Sequence, residues 1–294
     1  MYRFGIDLGG TKIEGVILDE ENKQLFRERL PTEQQQGYAH ILQNVKSLYD
    51  RMRKEIADAR HTLGIGTPGS ISPKTARVRN ANTQCLNGQL VQHDLEKQLG
   101  RKISMQNDAN CFAMAEAVHG AGQGYDFVFG VIMGTGCGGG LVYKKQLFSG
   151  RHAIAGEWGH MSLDPAGPEC WCGQKGCVET LISGSGLERL FLEKTGKKTS
   201  MQQIVQRYRD GHKAEAELME VFLNQFGRAL ANVVNLLDPD VVVLGGGLSN
   251  IDELYTVGRE LVRQTAFSDF VETPILKNSL GDSAGVLGAA FIGI

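Results

Sequence analysis

A strand, glycine turn, strand unit that occurs twice constrains this chain more than any other feature. Residues 4–18 read FGIDLGGTKIEGVIL and residues 129–143 read FGVIMGTGCGGGLVY, aligning without a gap at a shift of 125. Phe4/Phe129, Gly5/Gly130, Gly9/Gly134 and Gly15/Gly140 are identical. Glycine hairpins can resemble one another by chance, but a true repeat sets the architecture of a whole chain. At 294 residues the chain also exceeds the usual size of one hydrophobic core. The expected class is therefore α/β with two related domains sharing a cleft. The first covers 1–117, with a C-terminal helix over 283–294 packing on it, and a larger one covers 118–282.

Periodicity predicts a helix near 35–57, a strand at 62–66, and a short strand at 102–106 running into a helix from Ala109 to about Val118. Asp108 thus falls near a helix N-terminus. A helix is expected over 218–237, then a buried strand Val241–Leu244 and another helix, with a small-residue apolar helix over 284–292. Up to about residue 90, Gly, Pro, Ser and Asn predict a loop of the kind that carries binding groups.

The formal charge of -2 provides no basic footprint for nucleic acid. No apolar leader and no membrane-length apolar run occurs, so a cytoplasmic protein without a membrane partner is expected. In a reducing compartment six cysteines read as thiols or metal ligands rather than disulfides.

Three glycine loops follow apolar strands: Gly9-Gly10-Thr11-Lys12, Gly134-Thr135-Gly136 and Gly245-Gly246-Gly247. Any one alone reads as a tight turn. Together, at strand carboxyl ends, they read as backbone N–H groups gathered around phosphate. Gly134, Gly136 and Gly139 fit G-x-G-x-x-G, but residues 140–148 have strand character where a dinucleotide fold needs a helix. No G-x-x-x-x-G-K-[ST] occurs either, so a nucleotide would be held by another scaffold. Asp7, a carboxylate in an apolar strand, could hold Mg²⁺ through water.

His160, Cys170, Cys172 and Cys177 form a Cys₃His set, with Gly173 and Gly176 permitting a chelating loop. Three thiolates and an imidazole suit a closed, structural Zn²⁺ site with no position for an activated water. Asn82, Asn107, Asp108, Glu157, His160 and Glu179 could bond several sugar hydroxyls, although each alone reads as a cap or a solvated residue.

GIDLGGTK at 5–12, NDANC at 107–111, GTGCGGG at 134–140, GEWGH at 156–160, CWCGQKGC at 170–177 and LDPDVVVLGGG at 237–247 together resemble the ROK family of sugar kinases and related repressors. The resemblance spans the chain and implies an actin-like, hexokinase-like ATPase fold. It implies phosphate contacts at the first two glycine loops, adenosine contacts at the third, and Asp108 as catalytic base. Sugar contacts are implied at Asn82, Asn107, Glu157, His160 and Glu179, and zinc at His160, Cys170, Cys172 and Cys177, so that His160 would serve both. ATP, Mg²⁺ and a hexose are the implied ligands, and a homodimer the implied assembly.

Within the family, GTPGSISP at 66–73 and NANTQCLNG at 80–88 look most similar to the fructokinase and mannokinase branch. N-acetylglucosamine kinase or glucokinase is the alternative. A sugar-sensing repressor would carry an N-terminal DNA-binding module, for which no room is expected before residue 2. A non-catalytic sugar-binding protein is disfavoured by the presence of both Asp7 and Asp108.

Overall fold

The computed structural model describes residues 1–294. Its strands are β1 (Tyr2–Leu8), β2 (Lys12–Leu18), β3 (Gln24–Pro31), β4 (His61–Thr67), β5 (Ser70–Ile71), β6 (Val78–Arg79), β7 (Ser104–Asn107), β8 (Phe127–Met133), β9 (Cys137–Tyr143), β10 (Gln146–Leu147), β11 (Val241–Gly245) and β12 (Ile275–Lys277). Its helices are α1 (Tyr38–Glu55), α2 (Val91–Leu99), α3 (Asp108–His119), α4 (Val178–Ile182), α5 (Gly184–Thr195), α6 (Met201–Arg209), α7 (Lys213–Leu237), α8 (Val257–Thr265) and α9 (Ala284–Phe291). No helix is long and apolar enough to cross a membrane.

The repeat is written into the topology. Adding 125 to the bounds of β1 and β2 gives the bounds of β8 and β9. One five-stranded sheet has the order β3-β2-β1-β4-β7 and the other β10-β9-β8-β11-β12, the same order with each strand replaced by its counterpart. In both, the central strand pairs in parallel with the next, β1 with β4 and β8 with β11. A parallel pair needs a crossover long enough to hold a helix. The chain supplies α1 before β4 and the run α4 to α7 before β11. The short β5–β6 ribbon and a 3₁₀ turn at Gln84–Leu86 occupy the segment read from sequence as plain loop.

The chain forms two compact units, one of residues 1–123, 140–155 and 280–294, the other of 124–139 and 156–279. In the first unit, Phe4, Ile6, Leu8, Ile13 and Ile17 of the sheet pack with Ile41, Val45, Leu48 and Met52, spaced three and four apart on α1. On the other face of the sheet α9 approaches closely. Gly5 and Gly64 are paired in register on β1 and β4. A Cβ on either would collide with α9 backbone, at Val286 O and Ala289 O respectively. The small residues Ala284, Gly285, Gly288, Ala289 and Ala290 bring that helix down onto the strands.

Candidate functional site

In the first unit the polar candidates collect where β1, β4 and β7 end, the edge of a parallel sheet at which ligands bind. Asp7 sits beside Gly66 of β4 in register. A Cβ at Gly66 would stand 3.2 Å from Asp7 Oδ1, and one at Gly285 would stand 2.8 Å from Oδ2, so two glycines make room for the carboxylate. Burial first, then the charges of Asp108 and Glu14, raise its pKa to about 6 against the opposing pull of Lys12. Mg²⁺ fits this position: a buried carboxylate with the negative charges of Asp108 and Glu14 near it suits a hard cation that keeps most of its waters.

The turn after β1 is closed by Gly9 N–H donating to Lys12 C=O at 2.9 Å, and Thr32 Oγ1 donates to Gly9 C=O at 2.6 Å. Gly10 lies against the 80s loop: a Cβ there would be 3.3 Å from Thr83 Oγ1 and 4.0 Å from Asn82 Oδ1. Asn87, not singled out from sequence, holds that loop by accepting from Ala81 N–H at 2.9 Å and donating to Ala81 C=O at 2.8 Å.

β7 runs straight into α3. Asn107 caps the helix, its Oδ1 accepting from Asn110 N–H at 2.8 Å. Asp108 is therefore in the first turn rather than just before it, and its Oδ1 accepts from Ala109 N–H at 2.8 Å. Although Asp108 reaches solvent, surrounding protein atoms desolvate its carboxylate and raise the pKa. The backbone N–H groups of Ala109 and of Asp108 itself pull it back down. A carboxylate whose pKa is raised in this way accepts a proton more readily than an ordinary one.

In the second unit the donor atoms of His160, Cys170, Cys172 and Cys177 all lie within 4.8 Å of one another. Cys170 Sγ is 3.7 Å from His160 Nδ1, and Cys172 Sγ is 3.6 Å from Cys177 Sγ. A tetrahedral zinc with Zn–S of about 2.3 Å and Zn–N of about 2.1 Å has edges of about 3.5–3.8 Å, so the donor set fits that ion. The three thiols are tuned differently: a backbone hydrogen bond with Gln174 pulls the exposed Cys172 thiol down, whereas burial holds the Cys170 thiol up. Burial, then hydrogen bonds with Cys172 and Cys170, push the Cys177 thiol up to about 12. Gly176 adopts φ +60°, with its Cα against the Asp164 carbonyl, and Gly173 adopts φ +89°.

Glu179 stands in the first turn of α4. Its Oε2 accepts from Cys137 N–H at 3.0 Å and its Oε1 from the Trp171 indole N–H at 2.9 Å. Gly136 has no room for a side chain because that carboxylate occupies the space. The second glycine loop, the zinc-loop candidate and Glu179 are thus one cluster. Glu157 precedes and His160 ends the 3₁₀ turn Trp158–His160, where the Trp158 indole N–H donates to Gly138 C=O at 3.0 Å.

A groove of about 540 Å³ opens in the same unit, at the carboxyl ends of β8 and β11. Gly134, Thr135, Gly247, Leu248, Asn250 and Ile251 line it from the two strand-end loops. Gly184 and Ser185 line it from the start of α5, and Gln202, Gln206 and Arg209 from α6. The N-terminus of α5 borders this space and brings the positive end of its dipole to it, which suits phosphate, while Gly184 N–H donates to Gly134 C=O at 2.8 Å and Gly186 N–H to Ser183 Oγ at 3.0 Å. Ser185 Oγ donates to Thr135 C=O at 2.5 Å, tying helix to loop. Gly246 needs its φ of +78°, and a Cβ there would strike Met133 C=O. The α5 and α6 residues carry no motif and were not foreseen. Only the capping serines Ser183 and Ser200 mark where those helices begin.

The chain matches the model of the ROK family over residues 3–293. It is 36% identical over 301 residues to an N-acetyl-D-glucosamine kinase of Histophilus somni, covering 99% of this chain and 98% of that protein. Among solved structures it resembles a ROK hexokinase from Thermus thermophilus with a TM-score of 0.90 and 32% identity, covering 100% and 98% of the two chains. A ROK family glucokinase from Streptomyces griseus, in complex with glucose and AMPPNP, superposes with a TM-score of 0.77 and 27% identity over 100% and 99%.

Proposed function

We propose that this chain, which belongs to the ROK family, is an ATP-dependent sugar kinase that phosphorylates N-acetylglucosamine, with Asp108 as the general base. The observation that carries the reading is the groove at the ends of β8 and β11, bounded by two glycine-bearing loops and the N-terminus of α5. Its volume and chemistry suit a nucleotide: an apolar wall at Leu248 and Ile251, amides at Gln202, Gln206 and Asn250, and the positive end of the α5 dipole at the phosphate end. In this reading Gly134, Thr135 and Gly136 with Gly9, Gly10, Thr11 and Lys12 serve the phosphates, and Gly245, Gly246 and Gly247 the adenosine.

Phosphoryl transfer asks a protein for positioning and charge neutralisation rather than covalent chemistry. Asp108 orients the attacking sugar hydroxyl and accepts its proton as the new P–O bond forms. Asn82, Asn107, Glu157, His160 and Glu179 bond the remaining hydroxyls and fix which one faces the phosphate. Asp7 would hold Mg²⁺ through water, and the ion when bound neutralises phosphate charge. His160, Cys170, Cys172 and Cys177 would hold zinc, which when bound cross-links the loop that carries them. With Nδ1 toward the metal, His160 Nε2 is left to meet a hydroxyl.

N-acetylglucosamine is favoured because the curated relatives at 34–37% identity bear that name, as the first of them does over 98% of its length. Fructose, with mannose, is the second reading, supported by GTPGSISP and NANTQCLNG in the segment around β5 and β6. The test is ADP release with Mg-ATP across N-acetylglucosamine, glucose, mannose and fructose. N-acetylglucosamine should have the highest kcat/KM; a lead for fructose would move the substrate to the second reading, and no turnover on any sugar would sink the kinase assignment. Asp108→Asn should lower kcat by about 10²–10⁴-fold while leaving the melting temperature near that of the parent. Near-normal turnover in that variant would remove Asp108 from its role.

A further inference from the structure

Trp171 lies between two zinc-ligand candidates, Cys170 and Cys172, and is 65% exposed, whereas the chain's other tryptophan, Trp158, is 3% exposed. Core packing does not explain a large aromatic left this open to water. The polar end of the ring is engaged, however: Nε1–H donates to Glu179 Oε1 at 2.9 Å. The ring also stands edge-on to the His160 imidazole, with centroids 4.9 Å apart and planes at 88°. Glu179 is therefore gripped from two sides, by Trp171 at Oε1 and by Cys137 N–H at Oε2.

We infer that Trp171 is a positioning residue that fixes the plane of the Glu179 carboxylate for sugar binding and makes that plane depend on the zinc loop. This rests on the proposed reading of Glu179 as an acceptor from a sugar hydroxyl. The terminal torsion of a glutamate is broad, so one anchor leaves the carboxylate free to swing. Two donors in fixed directions settle its plane and leave the outward lone pairs of both oxygens for a hydroxyl. The two anchors differ in kind. Cys137 N–H is backbone at the start of β9, whereas the indole is carried by a loop whose shape is set by Cys170 and Cys172. Holding those cysteines on a metal holds the indole; releasing them releases one side of Glu179. Zinc occupancy thereby reaches sugar affinity without the metal touching the reacting atoms.

Trp171→Phe keeps a ring against His160 and removes the N–H; Trp171→Ala removes both. Zinc-loaded wild type and both variants are assayed for zinc content, for KM of the sugar the wild type phosphorylates best, for KM of ATP, and for kcat. For Trp171→Phe the expected result is unchanged zinc content, unchanged KM for ATP and little-changed kcat. Its sugar KM should rise roughly tenfold, as when binding shared by ground and transition state is lost. The emission assigned to Trp171, as wild type minus Trp171→Phe, should shift when zinc is removed by a chelator. A sugar KM unaltered in Trp171→Phe but raised in Trp171→Ala would make the ring contact the active element and overturn the inference. Loss of zinc from Trp171→Phe, or emission indifferent to chelation, would overturn it as well. Absence of sugar turnover by the wild type would bring down the proposed function and this inference with it. Turnover with a normal KM in Trp171→Phe brings down the inference alone.

Discussion

Asp7 is poised for a ligand at a cost to the unliganded protein. Its pKa of about 6, against an ordinary 3.8, means that the folded chain binds this proton more tightly than the unfolded chain does. Below pH 3.8 both states are protonated and the group contributes nothing. As pH rises toward 6 the unfolded state ionises first, so stability falls, and the loss is complete above 6. Its full size is on the order of 1–3 kcal/mol. Asp7→Asn should therefore raise the melting temperature of the nucleotide-free protein at pH 7.5, and the gain should vanish near pH 4. Thermal melts by circular dichroism at the two pH values check this; an equal gain at both would show that something other than the charge is responsible. At this scale the sequence was uneven. Asp7 was legible because a carboxylate interrupts an apolar strand, whereas Asp108 drew its meaning from resemblance alone. Trp171 and Asn87 gave no signal, since their roles depend on partners 8 and 6 residues away that only the folded loops bring within hydrogen-bond reach.

Elements show the same division. The hairpins β1–β2 and β8–β9 were legible because alternating apolar strands around glycines leave one way to fold locally, and α1, α3, α7 and β11 followed from periodicity. The walls of the groove at the ends of β8 and β11 were not, because α5 and α6 present their polar residues at ordinary helical spacing, where a solvated face looks the same as a binding face. The loop 170–177 lies between these cases: its cysteines point to a metal site as a proposal, and its glycines are required by geometry. Gly176 combines φ +60° with a Cα packed against the Asp164 carbonyl, and its own C=O accepts from Leu163 N–H at 2.8 Å. Gly176→Ala would add both backbone strain and a collision, and the loop could relieve them only by displacing Cys177. The variant should purify with less than one zinc per chain and melt below the parent. Metal analysis by mass spectrometry reads the first and calorimetry the second, and a full complement of zinc would show that the loop adapts without moving its ligands.

Over the whole molecule, order along the chain and order in space diverge. The first unit is assembled from residues 1–123, 140–155 and 280–294, so its sheet is made near the start of the chain while one of its covering helices is made last. α9 fills a trough cut by Gly5 and Gly64, and Val286 and Ala290 form a small core there with Val16 and Leu18. Gly288 lies against the Cys111 carbonyl of α3, so α9 also supports the helix that presents Asp108. Sequence alone marks 284–292 as an apolar helix, but a helix of small residues has no stripe to say which surface it meets. Contact through glycine backbones leaves no slack for substitutes, since packing this close is lost outright when one partner is removed. A chain ending at Ser279 should therefore lose the cooperative melt of the parent, and proteolysis should cut within residues 1–123 under conditions that leave the parent whole. Gly64→Ala is the milder version, placing one methyl against the Ala289 carbonyl. Overpacking of that kind costs about 1–3 kcal/mol, enough to lower the melting temperature without abolishing the transition. If the truncated chain melted as the parent does, the trough would be filled by something other than α9, and the support of α3 would have to be sought elsewhere in the first unit.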